Sequence, residues 1–331
     1  MFLQPRRGTL LRRHRDAVYR LGAESAGPAV AFDKIVRRFE HRVLPGEQIG
    51  LGVADVIGSE DAGLGGPLHF RQFLLKIDVR GRVEFARQLG GRARSLILIA
   101  RREQRLNELR DELNRQYPKL AVSSRKIDLA DLAQLNELLA WLDHEGIDVD
   151  LLINNAGLGD LGPFAKSDPV RNEQMMLVNV VALTSLTRHL LPQMIAKKGG
   201  GILNISSSAG FLPIPGDAVY AATKAYVTSF SEALRAELRG TGISVCTLCP
   251  GPVSTEFQEV ASRPGRKAKP GPGPGFLEVS VEEAVREALA SLEADRPLVV
   301  PGFAMKIVMF LGRLTPMPLL RLLFRLVPTR S

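Results

Sequence analysis

"SLILIARREQRLNELRDELNRQYPKLAVSSRKID", residues 95–128, decides the fold. It opens on a short apolar run, passes through a segment whose leucines at 106, 109 and 113 share one helical face, and closes on a second run of strand length. Strand, helix and strand in that order make a parallel unit with a crossover helix. The rhythm continues downstream, with strands predicted at 95–100, 121–127, 150–154, 201–206, 244–249 and 297–300. Amphipathic segments at 103–116, 131–145, 173–196, 220–238 and 281–293 lie between them. Parallel strands joined by right-handed crossovers give an α/β fold, a doubly wound parallel sheet with helices on both faces.

The chain has 331 residues, room for one large α/β domain with an extension but cramped for two. A composition 45% hydrophobic and 24% charged excludes a disordered chain and a multi-span membrane protein. Net charge is +9, and residues 1–82 hold 14 Lys and Arg against 9 Asp and Glu. A basic excess suits nucleic acid, yet the sequence has no zinc-finger spacing, RNA-binding signature or interleaved aromatics, so no nucleic-acid partner is expected. Cys246 and Cys249 stand three apart in a predicted strand and point to opposite faces, with no second Cys or His pair to complete a metal site. They are read as core residues in a reducing cytoplasm, and no metal is expected. "MFLQPRRGTLLRRHRD" at the start lacks an apolar core of signal-peptide length, so the expectation is a cytoplasmic protein.

"YAATK" puts Tyr220 and Lys224 four apart at the start of a helix, one turn from each other on one face. A phenol, with an ordinary pKa of about 10, gives up its proton more readily beside an ammonium. Thirteen residues earlier, Ser207 in "NISSSAG" stands just past the strand "ILNI", where a hydroxyl faces the crevice at the strands' carboxyl ends. "LLINNAG" ends another strand in Asn154, Asn155, Ala156 and Gly157, small and polar residues that let a ligand approach the backbone. Asn179 in "LVNVV" is a polar side chain in an apolar helix and needs a partner or a role. "CPGPVST" opens a turn with Pro250 and Gly251.

These residues, in this order and at these spacings, resemble the short-chain dehydrogenase/reductase family from about residue 84 to residue 300. The resemblance implies a Rossmann-like fold and hydride transfer between a nicotinamide and an alcohol or carbonyl carbon. It makes Tyr220 the general acid/base, Lys224 the group that lowers its pKa and holds the nicotinamide ribose, Ser207 the ligand of the substrate oxygen, and Asn179 the anchor of a relay water. It also places Asn155 and Gly157 along the cofactor cleft and Asp128 by the adenine. Pro250 and Gly251 are expected to bind the cofactor, and Thr255 to contact the nicotinamide carboxamide or the phosphates. A homo-oligomer is implied, because family members commonly pair through their long helices. Cofactor choice rests on "LILIARREQRL": Arg101 and Arg102 stand where an acidic residue would take a ribose 2′-hydroxyl, and their guanidiniums suit a 2′-phosphate. NADP(H) is therefore preferred to NAD(H). "FLPIPG" and the loop after Gly251 would shape an apolar pocket, which points to a small hydrophobic alcohol or ketone.

The chain departs from the family upstream. There the first strand leads into Thr-Gly-x-x-x-Gly-x-Gly, whose glycines bring backbone close to a pyrophosphate. Here "FLLKIDVRGRVEF" offers Gly81 alone, crowded by Arg80, Arg82 and Val83, and Lys76 and Asp78 suit a doubly buried strand poorly. The first strand and its turn are read as absent or atypical, with residues 1–83 unassigned. Three explanations stay open: "FLLKIDV" replaces the strand, the upstream region is a misread coding segment, or the chain is a noncatalytic relative that binds no cofactor. The misread segment is the most economical.

"RPGRKAKPGPGPG", 263–275, reads as a mobile loop. Residues 301–331 form an apolar, basic tail in which Lys306, Arg313, Arg321 and Arg325 punctuate the run. Pro316 and Pro318 divide it into two short helices, too short and too charged to span a bilayer. Packing on the substrate pocket or on a second subunit is favoured over peripheral contact with a membrane surface.

Overall fold

The computed structural model describes residues 72–76, 83–251, 261 and 278–326. The first strand, β1, is Gln72–Lys76, followed by α1 Glu84–Gly90, β2 Ser95–Ala100, α2 Glu103–Gln116 and β3 Ala121–Lys126. Next come α3 Leu132–His144, β4 Leu151–Asn154, α4 Pro169–Met176, a π-helical turn Leu177–Val181 and α5 Ala182–Ala196. Then follow β5 Gly200–Ile205, a 3-10 turn Ser208–Phe211, α6 Ala218–Glu237 and β6 Ile243–Leu248. The chain finishes with α7 Val281–Glu293, β7 Leu298–Val299, α8 Phe303–Leu314 and α9 Met317–Leu326.

The seven strands form one parallel sheet in the order β3-β2-β1-β4-β5-β6-β7. The order reverses between β1 and β4, the topological switch point of a doubly wound fold. The first strand is present: Phe73 pairs with Leu96 of β2 on one side and Leu151 of β4 on the other. Within "FLLKIDV", Phe73 to Lys76 thus supply the central strand, upstream of residue 84. What makes this possible is the short register. Only Phe73, Leu74 and Leu75 need be buried, and each is at most 2% exposed. Lys76 is the last residue of the strand, while Asp78 and Gly81 fall outside the described residues. Asp150 fixes the start of β1, its carboxylate accepting from the Gln72 N–H at 2.9 Å while its own N–H donates to the Gln72 carbonyl at 2.8 Å.

Alternating side chains build two cores. Phe73 and Leu75 join Leu96 and Leu98 under α1, α2 and α7, while Leu74 joins Ile97 and Leu152 under α3, α5 and α6. Cys246 lies in the first core and Cys249 in a third cluster with Val300, Met305 and Met309. Burial pushes both thiols up to about 12, so neither is a reactive thiolate. Helix starts follow local chemistry: Asp131 caps α3, Asp168 caps α4 ahead of Pro169, and Ser280 caps α7 through the Glu283 N–H. The helical run Pro169–Ala196 is long and apolar enough to cross a membrane, but Met175, Leu186, Leu190 and Met194 are buried against the sheet. The tail forms two helices, as the sequence suggests. The break falls at Thr315 and Pro316, and Pro318 sits inside the first turn of α9, where a proline is tolerated.

Candidate active site

The carboxyl ends of β4, β5 and β6 meet the N-terminal half of α6. Beneath this edge runs a buried polar row. The Asn154 amide donates to Asn204 Oδ1 at 2.8 Å, Asn204 donates to Ser231 Oγ at 2.9 Å, and Ser231 donates to the Val227 carbonyl at 2.7 Å. These bonds tie β4, β5 and α6 into one rigid support.

Past β5 the chain turns on Ser207, whose extended backbone precedes the 3-10 turn and whose Oγ accepts from the Ala209 N–H at 3.1 Å. The Ser208 N–H donates to the Pro250 carbonyl at 2.9 Å, which anchors the turn to the end of β6. Gly210 explains the "SAG" that follows. A Cβ there would lie 2.7 Å from the carbonyl carbon and oxygen of Lys224, so only glycine lets the turn rest on α6.

Lys224 is 4% exposed, and its Nζ donates to the Ile205 carbonyl at 2.8 Å. A buried ammonium needs such a partner. The same Nζ lies 5.7 Å from the centroid of the half-buried Tyr220 ring. Ser206 Oγ donates to the Lys224 carbonyl at 2.8 Å, a second tie between β5 and α6. Ser207, Tyr220 and Lys224 are therefore held on two elements that are locked to each other.

Asn179 sits in the middle of the π-helical turn, a local widening that often marks functional sites. Its amide is fully used: Oδ1 accepts from the Leu158 N–H at 2.8 Å, and Nδ2 donates to the Leu158 carbonyl at 2.9 Å and to Thr223 Oγ1 at 3.0 Å. Thr223 in turn donates to the Tyr220 carbonyl at 2.8 Å. The side chain thus clamps the loop after β4 to α6.

The other residues singled out by sequence lie along the same edge. Arg101 and Arg102 follow β2, half-buried, with Arg102 at the start of α2. Asp128 shapes the loop after β3 by accepting from the Ala130 N–H at 3.0 Å. Asn155 and Gly157 are buried just past β4. Gly251 packs against α8, where a Cβ would lie 2.4 Å from Met305 Cε. Thr255, the loop 263–275 and the turn containing Gly81 lie outside the described residues.

One residue at this edge escapes sequence reasoning. Asp217 stands three positions before Tyr220, and its Oδ1 is buried with no hydrogen-bond partner among the described residues. Burial, with the charge of Asp160 nearby, pushes its carboxyl up to about 7. The two loops that carry these acids are joined by the Gly162 N–H donating to the Gly216 carbonyl at 2.8 Å. The signal available in the sequence was an acid at a helix start, which reads as an ordinary cap, yet no side-chain capping bond forms.

Known proteins resemble this chain in sequence and fold. The short chain dehydrogenase family model matches residues 83–264. The NADP-dependent 3-hydroxy acid dehydrogenase of Escherichia coli (strain K12) is 40% identical over 167 residues, which are 50% of this chain and 65% of the relative. A sulfoacetaldehyde reductase of Chromohalobacter salexigens is 40% identical over 168 residues, 49% of this chain and 64% of its own. The chain therefore spans just under two thirds of the length of these curated relatives. Among solved structures, a short-chain dehydrogenase from Sphingobium yanoikuyae in complex with NADPH superposes with a TM-score of 0.65 at 27% identity, covering 79% of this chain and 97% of that one. Sheet order and these matches agree, and the chain belongs to the short-chain dehydrogenase family.

Proposed function

We propose that this chain is an NADP(H)-dependent oxidoreductase acting on an alcohol or carbonyl group of a small, hydrophobic molecule. The observation that carries the reading is the buried Lys224 ammonium, fixed by the Ile205 carbonyl and set 5.7 Å from the Tyr220 ring. A cation held at that place favours the phenolate over the phenol, which suits Tyr220 to exchange a proton with a substrate oxygen. Ser207, on the turn that rests on the same helix, is the hydroxyl that would orient that oxygen. Asn179 acts through its clamp on Leu158 and Thr223, which fixes the tilt of α6 under Tyr220.

The donor set fits the cofactor. Two half-buried arginines close β2, and planar guanidinium forks match a phosphate bound to the adenosine ribose. Asn155, Gly157, Pro250 and Gly251 would line its path, with Asp128 toward the adenine. When bound, NADP(H) supplies or accepts the hydride. The relatives named above support this choice, because the E. coli protein is NADP-dependent and the S. yanoikuyae structure contains NADPH.

An NADPH titration of the full chain, followed by nucleotide fluorescence, tests the reading. Saturable binding is the expected result, with Tyr220→Phe binding equally well while losing about 10²–10⁴-fold in turnover of hydrophobic ketones. A folded protein that binds no NADPH would overturn it and leave a noncatalytic member of the family.

A further inference from the structure

Helix α8 is apolar on two opposite sides. Met305 and Met309 are buried, and a Cβ on Gly312 would meet Leu212 at 3.1 Å, so one stripe docks on the protein. Phe303, Ile307, Phe310, Leu311 and Leu314, spaced i, i+4, i+7, i+8 and i+11, form the opposite stripe. These are 79%, 45%, 64%, 58% and 64% exposed. Helix α9 repeats the design, with Leu320 8% exposed but Leu319 and Leu322 about half exposed, at 47% and 53%. Scattered exposed leucines need no explanation, but a contiguous apolar face of this kind marks a docking surface.

Charge identifies the occupant. Residues 303–326 contain Lys306, Arg313, Arg321 and Arg325 and no Asp or Glu. Two of the four are satisfied within the fold: Lys306 pairs with Glu287 at 3.4 Å, and the Arg313 guanidinium lies 5.4 Å from the centroid of the Phe211 ring. Arg321 and Arg325 are exposed on α9. A groove of about 620 Å³ runs between α7, β7 and α8, lined by Phe310 and Leu314 of the exposed stripe together with Arg296, Lys306 and Arg313, its one acid, Glu287, being paired with Lys306. Apolar side chains flanked by cations, without one acid on either helix, match the boundary between acyl chains and anionic headgroups. A second copy of this chain fits less well, because pairing the two faces would set like charges against each other. Neither helix crosses a bilayer, since 12 and 10 residues reach only ~18 and ~15 Å against a core of ~30 Å.

We propose that α8 and α9 form a docking face that lies flat on an anionic membrane surface. The inner stripe of α8 touches Gly251 through Met305 and the 3-10 turn after Ser207 through Phe211. Docking therefore brings the candidate active-site edge to within about one helix diameter, ~10 Å, of the lipid.

The test is flotation of the full chain with phosphatidylcholine vesicles, with and without phosphatidylglycerol. The expected result is recovery with the anionic vesicles, weakened by salt. The exposed double variant Phe303→Ser/Leu311→Ser should lose at least about tenfold in partitioning, and Arg321→Gln/Arg325→Gln should lose the preference for phosphatidylglycerol. Circular dichroism and NADPH binding monitor the fold of each variant. The proposal fails if the wild-type chain stays unbound with anionic vesicles, if it floats equally on neutral ones, or if the apolar double variant floats as well as wild type. Tail-dependent self-association without flotation would also overturn it and make a second copy the occupant.

Discussion

Lys224 and Asp217 lie two turns apart at the start of the same helix, and the fold treats them in opposite ways. The lysine is almost wholly buried with its ammonium on the Ile205 carbonyl, while the aspartate keeps a buried oxygen that no described group bonds. A charge can stay charged inside a protein when a partner replaces water; without one, the group answers by holding its proton. Lys224 is accordingly built to remain a cation beside Tyr220. Asp217 holds its proton well above the ordinary carboxylate range, its carboxyl pushed up to about 7 by burial and by the charge of Asp160. The lesson is that burial alone says little about a charged residue's task, and the partner says most.

Removing the better-partnered group gives the largest effect. Lys224→Met keeps most of the volume but strands the Ile205 carbonyl, so it should cost about 1–3 kcal/mol in urea unfolding. With the cation gone from beside Tyr220, turnover should fall by about 10²–10⁴-fold. A variant as stable and as active as wild type would mean that the buried ammonium matters to neither scaffold nor chemistry. Next in size is Gly210→Ala, which tests whether the support of that lysine is as tight as the geometry says. The new methyl would meet the Lys224 backbone at 2.7 Å, and backbone yields little, so the cost should be near the upper end of about 1–3 kcal/mol. Ser207 shifts with its turn, so turnover should fall more than NADPH affinity. Wild-type melting and turnover would show that the turn and α6 can slide apart freely.

Much of this contrast could be read before the structure. Periodicity places α2 at 103–116 and α7 at 281–293 with the observed bounds, because leucine spacing and polar flanks agree there. "SSSAG" and "YAATK" stand out as a set by family resemblance, but the reason for Gly210 is contact between residues 14 apart in sequence, which no local pattern records. Helix 173–196 was legible only in part. The Asp168-Pro169 start lies four residues earlier than the apolar pattern suggests, and the π turn around Asn179 inserts a residue that helical periodicity does not foresee. β1 reads weakly in the sequence for a physical reason. Lys76 and Asp78 count against a long buried strand, whereas the sheet needs only Phe73 to Leu75 at its center. Asp217 is not legible, because a solvated cap and an acid with one buried, unbonded oxygen look identical in sequence.

That residue supplies the smallest and sharpest test. The Asp217 carboxyl has a folded pKa of about 7 against an ordinary value of 3.8, so the folded chain binds more protons than the unfolded chain between those values. Stability should therefore fall as pH rises through that window, the reverse of an acid held by a cation. Asp217→Asn, which mimics the protonated acid, should melt like wild type near pH 4 and be more stable at pH 8. Its partial exposure reduces the gain to about 1–2 kcal/mol. Thermal melts of both proteins across the range measure the difference directly. A flat gap would mean that the Asp217 carboxyl titrates as an ordinary one, and a gap that favours wild type at high pH would mean that it is ionised on a partner of its own, the two charges of α6 then being built alike.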